Sequence, residues 1–328
     1  MQPISWYYPL LGMLLFAAEE IYFRIADKCN IIDRPNERSS HTRITLRGGG
    51  IIFWVGVLLS FLFHPSQWSD YGCFFAGLTL ISAISFWDDV RGVRQLPRLV
   101  VHLAAMLLLF AQWHLFGGEP WWYILIALFF CMGTINAYNF MDGINGITGG
   151  YSFVILVAIA YANCYVLPHP VVPEELLHTV TISVAIFCFY NFRPRARCFA
   201  GDVGSVGIAF ILVYFLGLLI LATHDFTYLA LLLVYGVDSV LTIVHRLMLH
   251  ENIGLPHRKH LYQLLANELH WPHVAVSALY MAVQALIAVG LFATPEAYRP
   301  LYFFAVLAVL CVVYIGFMRR YFHLHAGK

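Results

Sequence analysis

The sequence predicts an all-α integral membrane protein: a polytopic bundle of about eleven transmembrane helices, N-terminus outside and C-terminus cytoplasmic. Three observations carry this expectation. Hydrophobic residues make up 61% of the 328 and charged residues only 11%, where soluble domains carry roughly twice that charge fraction. Apolar stretches of about 17–22 residues, long enough to cross a hydrocarbon core, recur along the whole chain. The basic residues fall almost entirely on one side of those stretches.

The first stretch covers 7–24. It lacks the basic leading region and small-residue cleavage site of a secretory signal, so it reads as a retained span. The others fall at 50–64, 71–87, 98–115, 120–139, 147–166, 176–192, 205–222, 227–246, 274–292 and 299–318. The gaps between them alternate in character. One side comprises 25–49, 88–97, 140–146, 193–204, 247–273 and the C-terminal tail. With residues at span ends assigned to the adjacent gap, this side holds 18 of the 19 Lys and Arg, and only Arg299 lies opposite. The positive-inside rule makes that side cytoplasmic, and only an odd number of spans preserves the partition. The outer connections carry Asp70, Glu119, Glu174, Glu175, Asp225 and Glu296. No Pro/Ser-rich or charged linker divides the chain, so 1–328 reads as a single transmembrane domain. The seven cysteines are scattered without a CxxC pair and read as small buried hydrophobes.

Polar residues at membrane depth are costly and mark places where something polar is handled. The longest such stretch is Asn136-Ala-Tyr-Asn139-Phe-Met-Asp142-Gly143-Ile-Asn145-Gly146, at the end of the fifth span. Asn136, Asn139 and Asp142 or Gly143 follow helical spacing and share one face. Their oxygens are hard ligands suited to Mg²⁺, which keeps waters and prefers phosphate as a co-ligand. A Gly/Asn helix end accounts for the glycines but not for the upstream asparagines. Asp88-Asp89, closing the third span, places two carboxylates side by side. That arrangement calls for a cation or a raised pKa, or equally for pairing with Arg91, Arg94 and Arg98. Gly201-Asp202-Val-Gly204-Ser205 precedes the eighth span; it reads as an N-cap or as a carboxylate holding Mg²⁺ against phosphate.

Pro256-His257-Arg258-Lys259-His260 gathers four potential cations, the natural counterpart of a pyrophosphate. Zinc is rejected, because His250, His270 and His273 match no zinc spacing. Asp238 lies inside the ninth span, with Arg246 as its expected partner. Glu19 and Glu20 are similarly expensive and have no assigned role. Asp33-Arg-Pro-Asn-Glu-Arg-Ser-Ser-His41 leads to Arg47-Gly48-Gly49-Gly50, where glycines either cradle phosphate or make a tight turn.

These five motifs, in this order and covering nearly the whole chain, resemble the polyprenyl-phosphate N-acetylhexosamine-1-phosphate transferases, glycosyltransferase family 4. The likeness is to the O-antigen- and common-antigen-initiating type, with PHRKH standing where related peptidoglycan enzymes have a triple-His form. The resemblance implies transfer of a sugar 1-phosphate from a UDP-N-acetylhexosamine, UDP-GlcNAc being the commonest donor, to polyprenyl phosphate with release of UMP. It implies a bacterial inner-membrane enzyme that uses Mg²⁺, with Mn²⁺ as a substitute, and is compatible with a homodimer among membrane lipids. No nucleic-acid partner is expected. By motif, Asn139 and Asp202 look like metal ligands. Asp142 and Asn145 would lie at the nucleotide, with Asn136 and Gly143 beside them. His257, Arg258 and His260 would hold the diphosphate or sugar, and Asp88, supported by Asp89, would position or deprotonate the acceptor phosphate.

The chemistry fits that implication, since two anionic reactants need cations to approach one another. In-line attack by the lipid phosphate is the preferred route, and a covalent phosphosugar on Asp88 is the alternative. A secondary transporter with a central ion site is the competing class. It would place its polar groups near the midplane in two related halves, whereas here they gather at helix ends. A CDP-alcohol enzyme would carry a longer acidic motif, which is absent.

Overall fold

The computed structural model describes residues 6–33, 44–117, 120–253 and 257–321. Most of the Asp33–His41 motif, Glu119, Pro256 and the C-terminal Lys328 lie outside the described residues. The rest is a multi-pass helical bundle. Its long helices are α1 (Tyr7–Lys28), α2 (Ile51–Phe63), α3 (Gly72–Arg91), α4 (Gln95–Gln112), α5 (Trp121–Met141) and α6 (Ile147–Tyr161). They continue with α7 (Glu174–Asn191), α8 (Gly201–Thr223), α9 (Leu233–Met248), α10 (His273–Ala293) and α11 (Arg299–Tyr321). Eight helical segments are long and apolar enough to cross a membrane; among the helices outside that set, α2 is a shorter apolar one. Lipid offers no partner to backbone amides, so a chain this apolar must satisfy them within helices.

The centre of the bundle is α8. From Val203 to Leu216 its residues are buried on every face, the mark of a core helix rather than an amphipathic one. Helices α2, α3, α5 and α6 pack around it. In contrast, α11 is largely exposed and packs on α9 through Val237, Tyr314 and Met318. Tyr314 also meets Thr242 of α9 through their hydroxyls, 2.6 Å apart.

A small hairpin ties one end of the bundle. Strands β1 (Ile32–Asp33) and β2 (Thr45–Leu46) pair antiparallel, and Leu46 continues the ladder to Cys198 in parallel sense. Phe199 N donates to Leu46 O at 2.8 Å, Gly49 N to Phe199 O at 2.9 Å and Gly50 N to Ala200 O at 3.1 Å. This spends two of the glycine amides that the sequence offered for phosphate. The glycines serve close backbone approach instead: a Cβ on Gly50 would run into the Gly204 backbone, with Gly204 N only 3.1 Å away.

Two helix boundaries differ from the sequence reading. Asp88 and Asp89 lie within the last turn of α3, which continues to Arg91. The Gly201–Ser205 motif is the first turn of α8 rather than a lead-in to it, and no side chain at its own N-cap position, Ala200, closes the helix. The helix is capped from a distance.

Candidate functional site

Asp89 supplies that cap. Its side chain, entirely removed from solvent, accepts Asp202 N at 2.9 Å and Val203 N at 3.0 Å. A carboxylate is favourable at a helix N-terminus, where the first amides are otherwise unpaired and the dipole is positive. Gly201 makes the approach feasible. It sits at φ +71°, and a Cβ there would lie 2.6 Å from Asp89 Oδ2.

The hairpin delivers Arg47 to the same point. Arg47 Nε donates to Asp89 Oδ1 at 2.6 Å, and Nη2 donates to Asp202 Oδ1 at 3.2 Å. Tyr22 of α1 steadies the loop by donating to the Arg47 carbonyl at 2.6 Å. Burial alone would lower the Arg47 pKa, but Asp89, Asp202 and Asp33 outweigh it and hold the guanidinium charged. From α4, Arg98 pairs with Asp88 and lies 3.2 Å from Asp202 Oδ2. Asp88 Oδ1 also accepts Val93 N at 2.5 Å. Three carboxylates and two guanidiniums thus form one network, centred on Asp202.

The Asn136–Gly146 segment meets this network from α5. Asn139 Oδ1 accepts the hydroxyl of Ser205 at 3.1 Å, less than one helical turn beyond Asp202. Asp142, just past the end of α5, accepts Thr148 Oγ1 at 2.7 Å. Burial pushes its carboxyl up to about 7, and the neighbouring charges of Asp202 and Asp89 push the same way. Gly143 packs under the Tyr262 ring, 3.1 Å from the position a Cβ would take.

The other two asparagines of the segment donate to backbone carbonyls. Asn145 is buried, and its amide donates to the carbonyls of Arg193 at 2.9 Å and Pro194 at 3.3 Å. Asn136 is exposed and donates to Met132 O on its own helix.

The basic loop reaches the same end of the bundle. Tyr262 OH donates to Phe140 O at 2.9 Å, and the His260 ring stacks on Phe140 with centroids 6.2 Å apart. His257 lies 4.8 Å from His260. Burial drives the His257 pKa down to about 3, with His260 and Arg246 adding to the effect. Arg258 and Lys259 are partly exposed beside it. Lys259 pairs with Glu251. Arg246 does not meet Asp238, as the sequence suggested. It bonds to Glu251 at 3.2 Å and to the carbonyls of Asn252 and Ile253, closing its own loop. Asp238 turns to the basic loop instead.

The two glutamates of α1 also find partners. Glu20 accepts a two-pronged bond from Arg197, at 2.6 and 2.9 Å, and Tyr190 OH at 2.6 Å. Glu19 is buried beside Cys198.

The donor set is compatible with a divalent cation. Oxygen atoms of Asn139, Asp202 and Asp88 are hard ligands, and the three carboxylates of Asp88, Asp89 and Asp202 outnumber the guanidiniums of Arg47 and Arg98. No His, Cys, Asp and Glu cluster of metal-binding form occurs among the described residues. A cation that takes few protein ligands and completes its shell with water and phosphate fits this arrangement.

Arg47 was not among the sequence candidates, Arg98 was named there as a pairing partner of Asp88 and Asp89, and Asp238 as a costly charge inside a span. Arg47 was legible only as a positive-inside charge, although it opens a glycine triplet.

Comparison with known proteins places these residues in context. The model of glycosyl transferase family 4 matches residues 71–221. That range holds Asp88, Asp89, Asn139, Asp142 and Asp202, and stops short of the basic loop. The undecaprenyl-phosphate alpha-N-acetylglucosaminyl 1-phosphate transferase of Yersinia pestis is 24% identical, over 94% of this chain and 90% of its own. The protein of the same name from Escherichia coli K12 is 24% identical over 94% and 89% of the two chains. That from Salmonella typhi is 26% identical over 94% and 89%.

Proposed function

Because the chain belongs to the polyprenyl-phosphate N-acetylhexosamine-1-phosphate transferases of glycosyl transferase family 4, we propose that it transfers N-acetylglucosamine 1-phosphate from UDP-GlcNAc to undecaprenyl phosphate, releasing UMP. This would be the first membrane step of a lipid-linked surface polysaccharide. The observation that carries the proposal is the network joining Asp88, Asp89, Asp202, Arg47 and Arg98, with Asn139 beside it at Ser205. Carboxylates, guanidiniums and a carboxamide at one end of a membrane bundle are what two phosphate-bearing substrates require. Eleven crossings with this end in the cytoplasm of a bacterial inner membrane, where nucleotide sugars reside, complete the reading. It follows from the one-sided distribution of Lys and Arg.

In this reading Asn139 and Asp202 would hold Mg²⁺, or Mn²⁺ in its place, which when bound would neutralise the diphosphate and the leaving UMP. Arg98, between Asp88 and Asp202, presents donors to the acceptor phosphate. Arg47 keeps Asp202 aimed while Asp89 fixes the helix that carries it. His257, Arg258 and His260 receive the diphosphate, and Asp142 and Gly143 border the nucleotide. An oxygen of the lipid phosphate attacks the sugar-bearing phosphorus in line. The new P–O bond forms as the bond to UMP breaks, and the electron pair leaves on UMP. Phosphomonoesters have a second pKa near ~6, so the nucleophile is already ionised at neutral pH and needs no strong base. Both oxygens of Asp88 are engaged, by Val93 N and Arg98, which favours a positioning role over attack by Asp88 itself.

Purified protein should release UMP from UDP-GlcNAc only with undecaprenyl phosphate and a divalent cation, and a chelator should abolish the release. A panel including UDP-GalNAc tests the sugar. Absence of UMP release, with every UDP-sugar and both metals supplied, would overturn the reading.

A further inference from the structure

Asp238 belongs to none of the motifs assigned above, yet it holds the basic loop in place. It lies on α9, 2% exposed. Its Oδ1 accepts Leu261 N at 2.9 Å, and its Oδ2 accepts Tyr262 N at 3.4 Å and Tyr280 OH at 2.7 Å. Thr242, one turn along α9, donates to Oδ1 at 3.3 Å. His260 Nδ1 stands 3.4 Å from Oδ1, at ion-pair distance. Two helices thereby clamp one turn of the loop through a single carboxylate, as Asp89 clamps the start of α8. The far side of that turn rests on Phe140, next to Asp142 and Gly143.

Burying a carboxylate is expensive unless donors surround it, and here backbone amides and hydroxyls do. Both ring nitrogens of His260 are buried without a hydrogen-bond partner among the described residues, and Nδ1 is the one that faces the carboxylate. The carboxylate facing Nδ1 fixes the plane of the ring against the loop. We propose that Asp238 is a positioning residue for donor binding: through His260 and the 260–262 backbone it holds the basic loop toward the UDP-sugar diphosphate. This inference rests on the functional reading above, in which His257, Arg258 and His260 receive that diphosphate.

The test compares wild type with Asp238→Asn, which keeps the shape and removes the charge. The KM for UDP-GlcNAc should rise about tenfold, the scale of losing hydrogen bonds to a charged group, while the KM for undecaprenyl phosphate stays unchanged. Calorimetric titration with UDP-GlcNAc should show the same loss of affinity, and Asp238→Glu should recover part of it. In His260→Ala, adding Asp238→Asn should cost less than it does in the wild type, because only the backbone part of the hold is left to lose. Should Asp238→Asn fail to fold, Tyr280→Phe carries the test, because it removes one donor and keeps the charge. A donor KM raised about threefold supports the proposal; an unchanged one overturns it. An equal rise in both KM values, or a loss in the His260→Ala background as large as in the wild type, would also overturn it. Inactivity of the wild-type protein would instead strike the functional reading, and unchanged kinetics in Asp238→Asn only this inference.

Discussion

Arg47 and Asp89 lie 2.6 Å apart, the arginine one-third exposed and the aspartate sealed from solvent. The pair joins a loop after the first helix to the last turn of α3, and the same carboxylate caps α8. Removing one partner from a buried pair leaves the other charge stranded.

Arg47→Ala should therefore destabilise the protein by about 3–5 kcal/mol, seen as a lowered thermal midpoint in detergent. Arg47→Lys keeps the charge but loses the fork that spans Asp89 and Asp202. It should fold and lose about 100-fold in kcat/KM for UMP release. Wild-type turnover by the lysine variant would show that the fork is unnecessary.

Asp89 and Asp202 should separate in their phenotypes. Asp89→Ala removes a remote helix cap and a buried charge partner, so it should lower stability by at least about 1–2 kcal/mol. Asp202→Asn should stay folded and lose activity by about 1000-fold or more, together with its response to Mg²⁺. Metal titrations of UMP release, set beside thermal melts, distinguish the two. Metal-dependent turnover in Asp202→Asn at the wild-type rate would remove this residue from the site.

Gly201 should resist every substitution. A side chain at φ +71° costs about 1–2 kcal/mol in backbone strain, and the added Cβ would press on Asp89 as well. Gly201→Ala should thus lower the thermal midpoint more than Gly72→Ala, where no atom lies within 4 Å of the new Cβ. Equal midpoints would refute the close approach of Asp89.

Asp142 gives a pH dependence of definite sign. Burial raises its pKa in the folded protein to about 7, above the roughly 3.9 of an unfolded chain. Between those values the folded state binds more protons, so stability falls as pH rises through that window and levels off above it. In metal-free protein, Asp142→Asn should be more stable than wild type at pH 8 by about 1–3 kcal/mol, and the gain should vanish near pH 4. Denaturation at the two pH values measures it. A gain of equal size at both would mean that ionisation is not the cause.

Much of the bundle was legible because lipid imposes length and apolarity on each helix, so the long helices lie where hydropathy placed them. The acidic motifs stood out for the same reason: Asp88, Asp89, Asp142 and Asp202 sit where apolar residues belong. Their partners did not stand out. Arg47 shares its sequence signature with every cytoplasmic arginine, Arg98 was one of three offered to the Asp pair, and only the packing of hairpin, α4 and α8 selects them. The burial of Asn145 and the outward face of Asn136 were equally hidden. Helical spacing gives a relative angle, while the direction of the core is set by neighbouring helices. Asp238 was visible as a costly charge, but its partners lie 23 and 42 positions ahead.

The separations of 42, 113 and 155 residues among Arg47, Asp89 and Asp202 carry a consequence for biogenesis. As the chain leaves the ribosome, the Arg47–Asp89 pair can form once α3 has entered the membrane. The site has no helix end to grip until α8 follows. A stalled or truncated chain ending before residue 201 would hold the ion pair with an incomplete set of donors, a natural mark for quality-control proteolysis. Two fragments divided between α7 and α8 should be inert singly and active when co-expressed, because the contacts that assemble the site are the same ones that would rejoin the halves.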